Sequence, residues 1–341
     1  MMKRIVICAD GTWNRPEQSN GEDANPTNVL KLARGIAPLG DDGAEQVVFY
    51  DWGIGSYHSG VSGGAFAKGL EKNVMDGYRF LVHNYAPGDQ VFLFGFSRGA
   101  YTVRSLCGML NNCGILKGIN GRMVEEAFEY YKNPDISPNG DEATAWKNTY
   151  AVPNSERVDF VGVWDTVGSV GLPFSLWGLI KDKHSFYDNK LGRNIHVARH
   201  ALSLDEKRDD FKPTIWAQKP DVDLKQVWFS GVHSDVGGGY PPINNSLLSD
   251  IPLVWLIKQA GSFGLKTEQH LVPELNYYSE ANKSYSGFMK LLGKHPRTID
   301  PADNTKVHHS VKLRYDNSGY RSEAIDKYLD EHDTWPEIEE D

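Results

Sequence analysis

Short apolar runs recur along the chain, each closed by a cluster of Gly, Asp or Ser, and they outline its architecture. Five are clear, at residues 4–8, 46–50, 90–94, 158–164 and 226–232. Runs of this length, rich in Val, Ile and Phe, are how strands buried on both faces of a parallel sheet read. Between the second and third runs, Leu70, Val74, Tyr78, Leu81 and Tyr85 recur about one turn apart, which predicts an amphipathic helix packed on that sheet. After the third run, Ala100, Val103, Leu106 and Leu110 repeat the pattern. Strands alternating with helices predict an α/β fold with a doubly wound, mostly parallel sheet, whose ligands collect at the carboxyl ends of the strands.

The stretches left over are longer than simple crossovers. Residues 114–155, 168–195 and 265–305 are expected to form helical cap insertions on a single domain spanning residues 1–341. Within the second, GLPFSLWGLI concentrates Leu172, Phe174, Leu176, Trp177, Leu179 and Ile180 directly after a strand end. It reads either as lid packing or as an apolar substrate wall or membrane-facing lip. The pattern weakens beyond Leu265, and the terminal EIEED reads as a solvated tail.

Charge narrows the function classes. The chain of 341 residues carries 36 Lys and Arg against 45 Asp and Glu, a formal charge of −9 with His neutral. Nucleic-acid binding would need a basic stripe to replace phosphate counterions, and that balance argues against it. Simple electrostatic adhesion to an anionic membrane is disfavoured too, although transient contact with a membrane surface stays compatible. The three cysteines, Cys8, Cys107 and Cys113, are too few for a disulfide framework and form no CxxC pair of metal-like spacing, so a reducing compartment is expected; no cofactor is expected. The N-terminal apolar run stops at Asp10, short of a signal-peptide core, and no run reaches the length of a membrane span. The expectation is a chain that is cytoplasmic as synthesised, which leaves signal-independent export open.

The chemistry is concentrated in Gly95-Phe96-Ser97-Arg98-Gly99, a G-x-S-x-G box. It follows an apolar strand and opens a helix, the strand–turn–helix context of a nucleophile elbow. The sheet is therefore expected to be α/β-hydrolase-like. A serine hydroxyl needs a base to take its proton, and the base needs a carboxylate to orient it. Asp165 and His233 follow later strand ends in the expected chain order, so both arrive at the edge carrying Ser97. His308 and His309 are rival bases, because a catalytic histidine often sits late in such chains. Asp235, two residues after His233, reads better as shaping its loop. Two backbone N–H groups must face the developing oxyanion. One is expected from Arg98 and the other from Thr12 or Trp13, in a loop shaped by Asp10.

Several segments together resemble one known family. CADGTWN, YDWGIG, GFSRGA, GVWDTVG and GVHSDVGGGY occur in its order, and VHHSV is similar to a later motif in which His308 is the better-matched histidine. The resemblance is to the catalytic domain of the type VI secretion phospholipase effectors of the first lipase family. It implies a metal-free Ser-Asp-His esterase acting on lipid or phospholipid acyl esters. Protein partners are not indicated. A phosphotransferase of the DxDGT type is excluded by Cys8 where the nucleophilic Asp would stand. A dinucleotide site is excluded because Gly53-Ile-Gly55 lacks the third glycine. The alternative of another class is a noncatalytic interaction module on a hydrolase scaffold.

Overall fold

Along the central strands successive residues are apolar on both sides of the sheet, which forces helices onto both faces. In β1 (Lys3–Ala9), Ile5, Ile7 and Ala9 enter one buried cluster while Val6 and Cys8 enter another. In β3 (Gln90–Phe96), Val91 and Leu93 face the first cluster, and Phe92, Phe94 and Phe96 face the second. The structure, a computed structural model, describes residues 2–11, 25–53, 63–118, 120, 122–167, 191–284 and 293–340.

The other strands are β2 (Glu45–Asp51), β4 (Val158–Trp164), β5 (Ile195–Ser203), β6 (Asp223–Phe229), β7 (Lys306–His308) and β8 (Ile338–Glu339). They form one eight-stranded sheet in the order β2-β1-β3-β4-β5-β6-β7-β8, with every neighbouring pair parallel. The first face is covered by α2 (Gly63–Asn84) and α3 (Arg98–Cys113), with α4 (Met123–Lys132) and α5 (Asp141–Tyr150) packed outside them. The second face carries α1 (Asn28–Gly35) and, beyond the short α6 (His233–Gly237), α7 (Asp250–Gly261). At the β7 end, α8 (His309–Asn317) and α9 (Glu323–His332) close a smaller cluster around Trp228, Val307, Val311 and Ile325. Among the described residues no helix is long and apolar enough to cross a membrane.

Several details depart from the sequence reading. The run at 226–232 leaves the sheet at Phe229, so His233 opens a helix instead of ending a strand. A strand not expected, β5, lies between the strands that precede Asp165 and His233. The terminal residues are no solvated tail: Ile338 and Glu339 pair with β7, and the Glu339 carboxylate is held by Lys225 and Lys306. Within the segment 114–155, Val124, Ala127 and Phe128 of α4 join the core around Leu106 and Leu110 of α3. The apolar stretch at 171–180 lies outside the described residues.

From β1 the chain moves to β2 on one side and returns to β3 on the other, so the winding direction reverses between β1 and β3. The crevice at the carboxyl ends of those two strands is where such sheets bind ligands. Its floor is tight. A Cβ on Gly99 would stand 2.1 Å from the carbonyl oxygen of Ala9 and 2.5 Å from that of Asp10, and one on Gly95 would stand 2.5 Å from the carbonyl oxygen of Gly99. Ala is favoured over Gly inside a helix by about 1 kcal/mol, but here the obstacle is backbone, which cannot swing aside. We expect Gly99→Ala to lose about 1–3 kcal/mol, the usual cost of forced overpacking, seen as a lower urea midpoint. Gly118→Ala, at a position with open space around it, serves as control. A midpoint for Gly99→Ala at or above wild type would show that the contact does not constrain the fold.

Candidate active site

Ser97 occupies the turn between β3 and α3 with φ 57° and ψ −121°, a conformation that L-residues rarely adopt. Holding a non-glycine residue there costs on the order of 1–3 kcal/mol and persists only where neighbours over-determine it. Two constraints do so. The Ser97 N–H donates to the Trp164 carbonyl at 3.1 Å, tying the turn to the end of β4, and Gly95 and Gly99 let strand, turn and helix approach.

Asp165 follows β4 directly and also has positive φ, at 34°. Its N–H donates to the Ala201 carbonyl at 2.7 Å. The carboxylate is fully buried: Oδ1 accepts from the Ser203 N–H at 2.9 Å, and Oδ2 meets His233 Nδ1 at 2.6 Å and Arg297 Nη2 at 3.0 Å. Burial by itself would raise this carboxyl's pKa, yet the Arg297 cation and the His233 bond outweigh it and hold the group well below the usual carboxylate range.

His233 is the first residue of α6, its backbone N–H 3.3 Å from Glu206 Oε2. Its ring lies between Phe96, with centroids 4.6 Å apart, and Phe211, at 4.8 Å and a steep interplanar angle of 70°. Phe96 immediately precedes Ser97, so the turn and the ring share a wall. Burial lowers the His233 pKa below 6.5, with Asp165 opposing that shift. The neutral ring that donates Nδ1–H to Asp165 carries its lone pair on Nε2.

Glu206 and Arg297 were not visible in the sequence pattern. The Glu206 carboxylate is buried and takes a forked pair of bonds from Arg208, with Oε1 to Nε at 2.9 Å and Oε2 to Nη2 at 2.8 Å, and it also accepts from Ser284 Oγ. Arg208 lies over the Phe211 ring at 3.5 Å. Arg297 is buried in an irregular segment, and its Nη1 has no hydrogen-bond partner among the described residues. No local signal marks either residue, since each acts across a long stretch of chain. His200 is another buried histidine near the acid: its Nε2 accepts from the Thr166 N–H at 3.1 Å, and burial pushes its pKa down to about 3. It stays uncharged.

The remaining expected residues are placed as follows. Arg98 is the first residue of α3, directly after Ser97, and burial lowers its guanidinium pKa to about 10. Asp10 shapes the loop after β1, accepting from the Gly11 N–H at 2.7 Å, from Thr27 Oγ1 and from the Tyr50 hydroxyl at 2.8 Å. Thr12 and Trp13, the expected sources of the second oxyanion donor, lie outside the described residues. His308 stacks on Phe229 and caps α8 through Ser310, while His309 faces Tyr277. The partners of the Asp165 carboxylate are His233, Arg297 and the Ser203 N–H, and neither late histidine is among them. Asp235 accepts from the Val232 N–H and from both nitrogens of Asn282, which closes the first turn of α6. Among the described residues no group of three or more His, Cys, Asp or Glu is arranged to hold a metal ion.

Chemically, the site presents a serine at a helix N-terminus and a histidine whose far nitrogen is oriented by a buried, ionised carboxylate. Comparison with known proteins gives this arrangement a context. An uncharacterised protein of Saccharomyces cerevisiae is 28% identical over 301 residues, covering 80% of this chain and 42% of that protein, so the chain spans less than half the length of this relative. Among solved structures, an uncharacterised protein from Pseudomonas aeruginosa is 16% identical with a TM-score of 0.47, over 80% of this chain and 48% of that one. The butyrate-bound esterase Est2 of Thermogutta terrifontis is 14% identical with a TM-score of 0.39, over 77% of this chain and 84% of its own. Residues 3–259 match the family described as T6SS, phospholipase effector Tle1-like, catalytic domain, and the match contains Ser97, Asp165 and His233 together. The chain therefore belongs to the Tle1-like phospholipase effector catalytic domains of the type VI secretion system.

Proposed function

We propose that the chain hydrolyses acyl esters of lipids or phospholipids through an acyl-enzyme, with Ser97 as nucleophile, His233 as general base and Asp165 as the carboxylate that orients it. The observation that carries this reading is the 2.6 Å contact between His233 Nδ1 and the ionised Asp165, made at the sheet edge where the strained Ser97 stands. Membership of a phospholipase catalytic-domain family supports the lipid ester as substrate.

In the first half-reaction Ser97 Oγ attacks the ester carbonyl carbon as its proton passes to His233 Nε2, leaving negative charge on the carbonyl oxygen. The Arg98 N–H is suited to meet that charge, because the first four N–H groups of a helix have no intrahelical partner and the helix dipole is positive there. Collapse of the tetrahedral species breaks the bond to the alkoxy oxygen, and the imidazolium returns its proton to the departing alcohol. A water molecule then repeats the sequence on the acyl-enzyme, with His233 as base. It releases the fatty acid and regenerates Ser97.

Two predictions follow from these roles. Ser97→Ala should lower kcat on a short p-nitrophenyl ester by roughly 10⁴-fold or more, as loss of a triad nucleophile does, and wild type should be labelled by a fluorophosphonate while the variant is not. Activity near wild type in Ser97→Ala would rule out the assignment of the nucleophile.

The second concerns pH. A base must be uncharged, and burial holds the His233 pKa below 6.5, so kcat/KM should fall only below that pH. Arg297 offsets part of the Asp165 charge that favours the imidazolium. Arg297→Met should therefore move the acid limb to higher pH, and Arg297→Lys, which keeps the cation, should leave it near wild type. A limb that stays put in Arg297→Met would mean that the cation does not tune the ring. Stability follows the carboxyl: the folded Asp165 pKa is depressed, so its contribution is present above the unfolded value of about 3.9 and is lost as pH falls below it. Breaking a buried pair costs about 3–5 kcal/mol. In urea denaturation the gap between wild type and Arg297→Met should be widest near neutral pH and narrow below about pH 4.

A further inference from the structure

The loop that follows β5 carries a buried anion of its own. Glu206 is fully buried, and groups on both sides of it fix its carboxylate. Oε1 accepts from the N–H groups of Lys207 at 2.9 Å and Arg208 at 3.0 Å, which bends the chain around the anion, and the Arg208 guanidinium folds back onto both oxygens. From the segment 265–305, Ser284 Oγ donates to the same two oxygens at 3.0 and 3.1 Å. Further along that segment the His295 N–H donates to the Lys207 carbonyl at 2.8 Å, and Lys294 forms an antiparallel bridge with Arg208. The loop is therefore held by stretches of chain that do not include α6. Burial by itself would raise the Glu206 pKa, but the bonds and charge of Arg208 outweigh it and lower the value, so the group is ionised near neutral pH.

This fixed anion reaches the base. Oε2 accepts from the main-chain N–H of His233 at 3.3 Å, while Asp165 Oδ2 meets the ring at Nδ1 at 2.6 Å. His233 is thus held at two points, its main chain from the exit of β5 and its ring from the exit of β4. A single attachment would let the residue swing about that bond; two define where Nε2 points. The charged groups that face the ring are Asp165 after β4, Glu206 and Arg208 after β5, and Arg297, which reaches Asp165 from before β7. The charge of Glu206 favours the imidazolium, and that of Arg208 opposes it. On α6 itself Asp235 is bonded to Val232 and Asn282, and beyond the helix burial raises the Tyr240 pKa and keeps that hydroxyl neutral.

We infer that Glu206 is a positioning residue for His233, fixing the start of α6 and supporting the ring when it takes up a proton. The inference rests on the hydrolase reading above for the use made of that proton, but the hold on His233 is measurable without turnover. Glu206 itself touches no reacting atom. Its effect passes through the histidine, and Arg208 keeps that effect in bounds by offsetting most of the added charge.

The test titrates the His233 ring by NMR in Ser97→Ala protein, the signal being assigned by its loss in His233→Gln. Glu206→Gln keeps the length of the side chain and one acceptor but removes the charge, leaving Arg208 to act on the ring alone. It should lower the His233 pKa by about one pH unit, as loss of a nearby opposite charge does. Glu206→Gln/Arg208→Gln removes both charges and strands no buried cation, and it should bring the value back toward that of the parent. Arg208→Gln, which leaves Glu206 unopposed, should raise it and supplies the reading if Glu206→Gln does not fold. With Ser97 intact, the acid limb of kcat/KM on a short p-nitrophenyl ester should follow the same order. In Glu206→Gln it moves to lower pH, opposite to Arg297→Met, and kcat above the limb should fall about 3–10-fold with KM near wild type, because a weaker base takes the proton less readily. A ring that titrates unchanged in Glu206→Gln, or in Arg208→Gln where that variant is the one that folds, overturns the inference. A double variant displaced as far as Glu206→Gln also overturns it, since the effect would then come from a disrupted loop and not from the charge. If the ring titrates in the expected order and the parent cleaves no ester, the hydrolase reading fails and the hold of Glu206 on His233 stands.

Discussion

The buried carboxylate of Asp165 is the interaction on which the rest of the site depends. It is covalently attached to the end of β4, its Oδ1 holds the N–H of Ser203 at the end of β5, and its Oδ2 holds both His233 from beyond β6 and Arg297 from the irregular segment before β7. One anion thus ties together the exits of neighbouring strands that the sheet alone leaves free to diverge. The preceding residue, Trp164, accepts the Ser97 N–H through its carbonyl, so the serine turn is referenced to the same point. An anion left unpaired at this depth would cost several kcal/mol. The segments that supply its donors are therefore held as firmly by electrostatics as by packing.

How much of this could be read from the sequence depends on whether the signal is local. Strands β1 to β4 and β6 are continuous apolar runs ending in turn residues, and Ser97 is marked by two glycines whose steric need is specific. In contrast, β5 reads IHVARHALS, and its Arg199 and two histidines break the apolar pattern. The strand forms because Asp223 and Gln259 neutralise and bond the Arg199 guanidinium while His200 is buried uncharged. None of those partners is near in sequence. The same holds for β8, where Ile338 and Glu339 look like an acidic tail until Lys225 and Lys306 are brought alongside.

The supporting residues of the site were hidden for a related reason. Asp165 and His233 announce themselves by following apolar strands, because a residue at a strand exit is delivered to the ligand edge whatever its neighbours are. Arg297 reaches Asp165 from 132 positions away, out of a segment with no periodicity. Glu206 sits in a charged stretch, LSLDEKRDD, that reads as solvated surface, and it is buried only because Arg208, two residues on, turns back to pair with it. The residues proposed to do chemistry occupy places dictated by topology. Residues that tune the chemistry occupy places dictated by charge balance, which a single sequence does not display.

That balance explains how one imidazole can be both buried and able to accept a proton. Two ion pairs flank His233, Asp165 with Arg297 and Glu206 with Arg208, and each is close to neutral as a unit. With only the two carboxylates present, the ring would be held permanently as the imidazolium and could not act as a base. With only the two arginines, desolvation and repulsion would keep it neutral throughout, and it could not take the proton that the proposed mechanism assigns to it. With both pairs in place the long-range fields largely cancel, leaving a short, directional bond from Nδ1 to Asp165 that strengthens when the ring gains its charge. Preorganised dipoles of this kind need little reorganisation during a proton transfer, which is where electrostatic catalysis gains most. The aromatic walls of Phe96 and Phe211 limit the ring's rotation, so in the proposed mechanism the proton is received at one nitrogen, the one turned away from the acid.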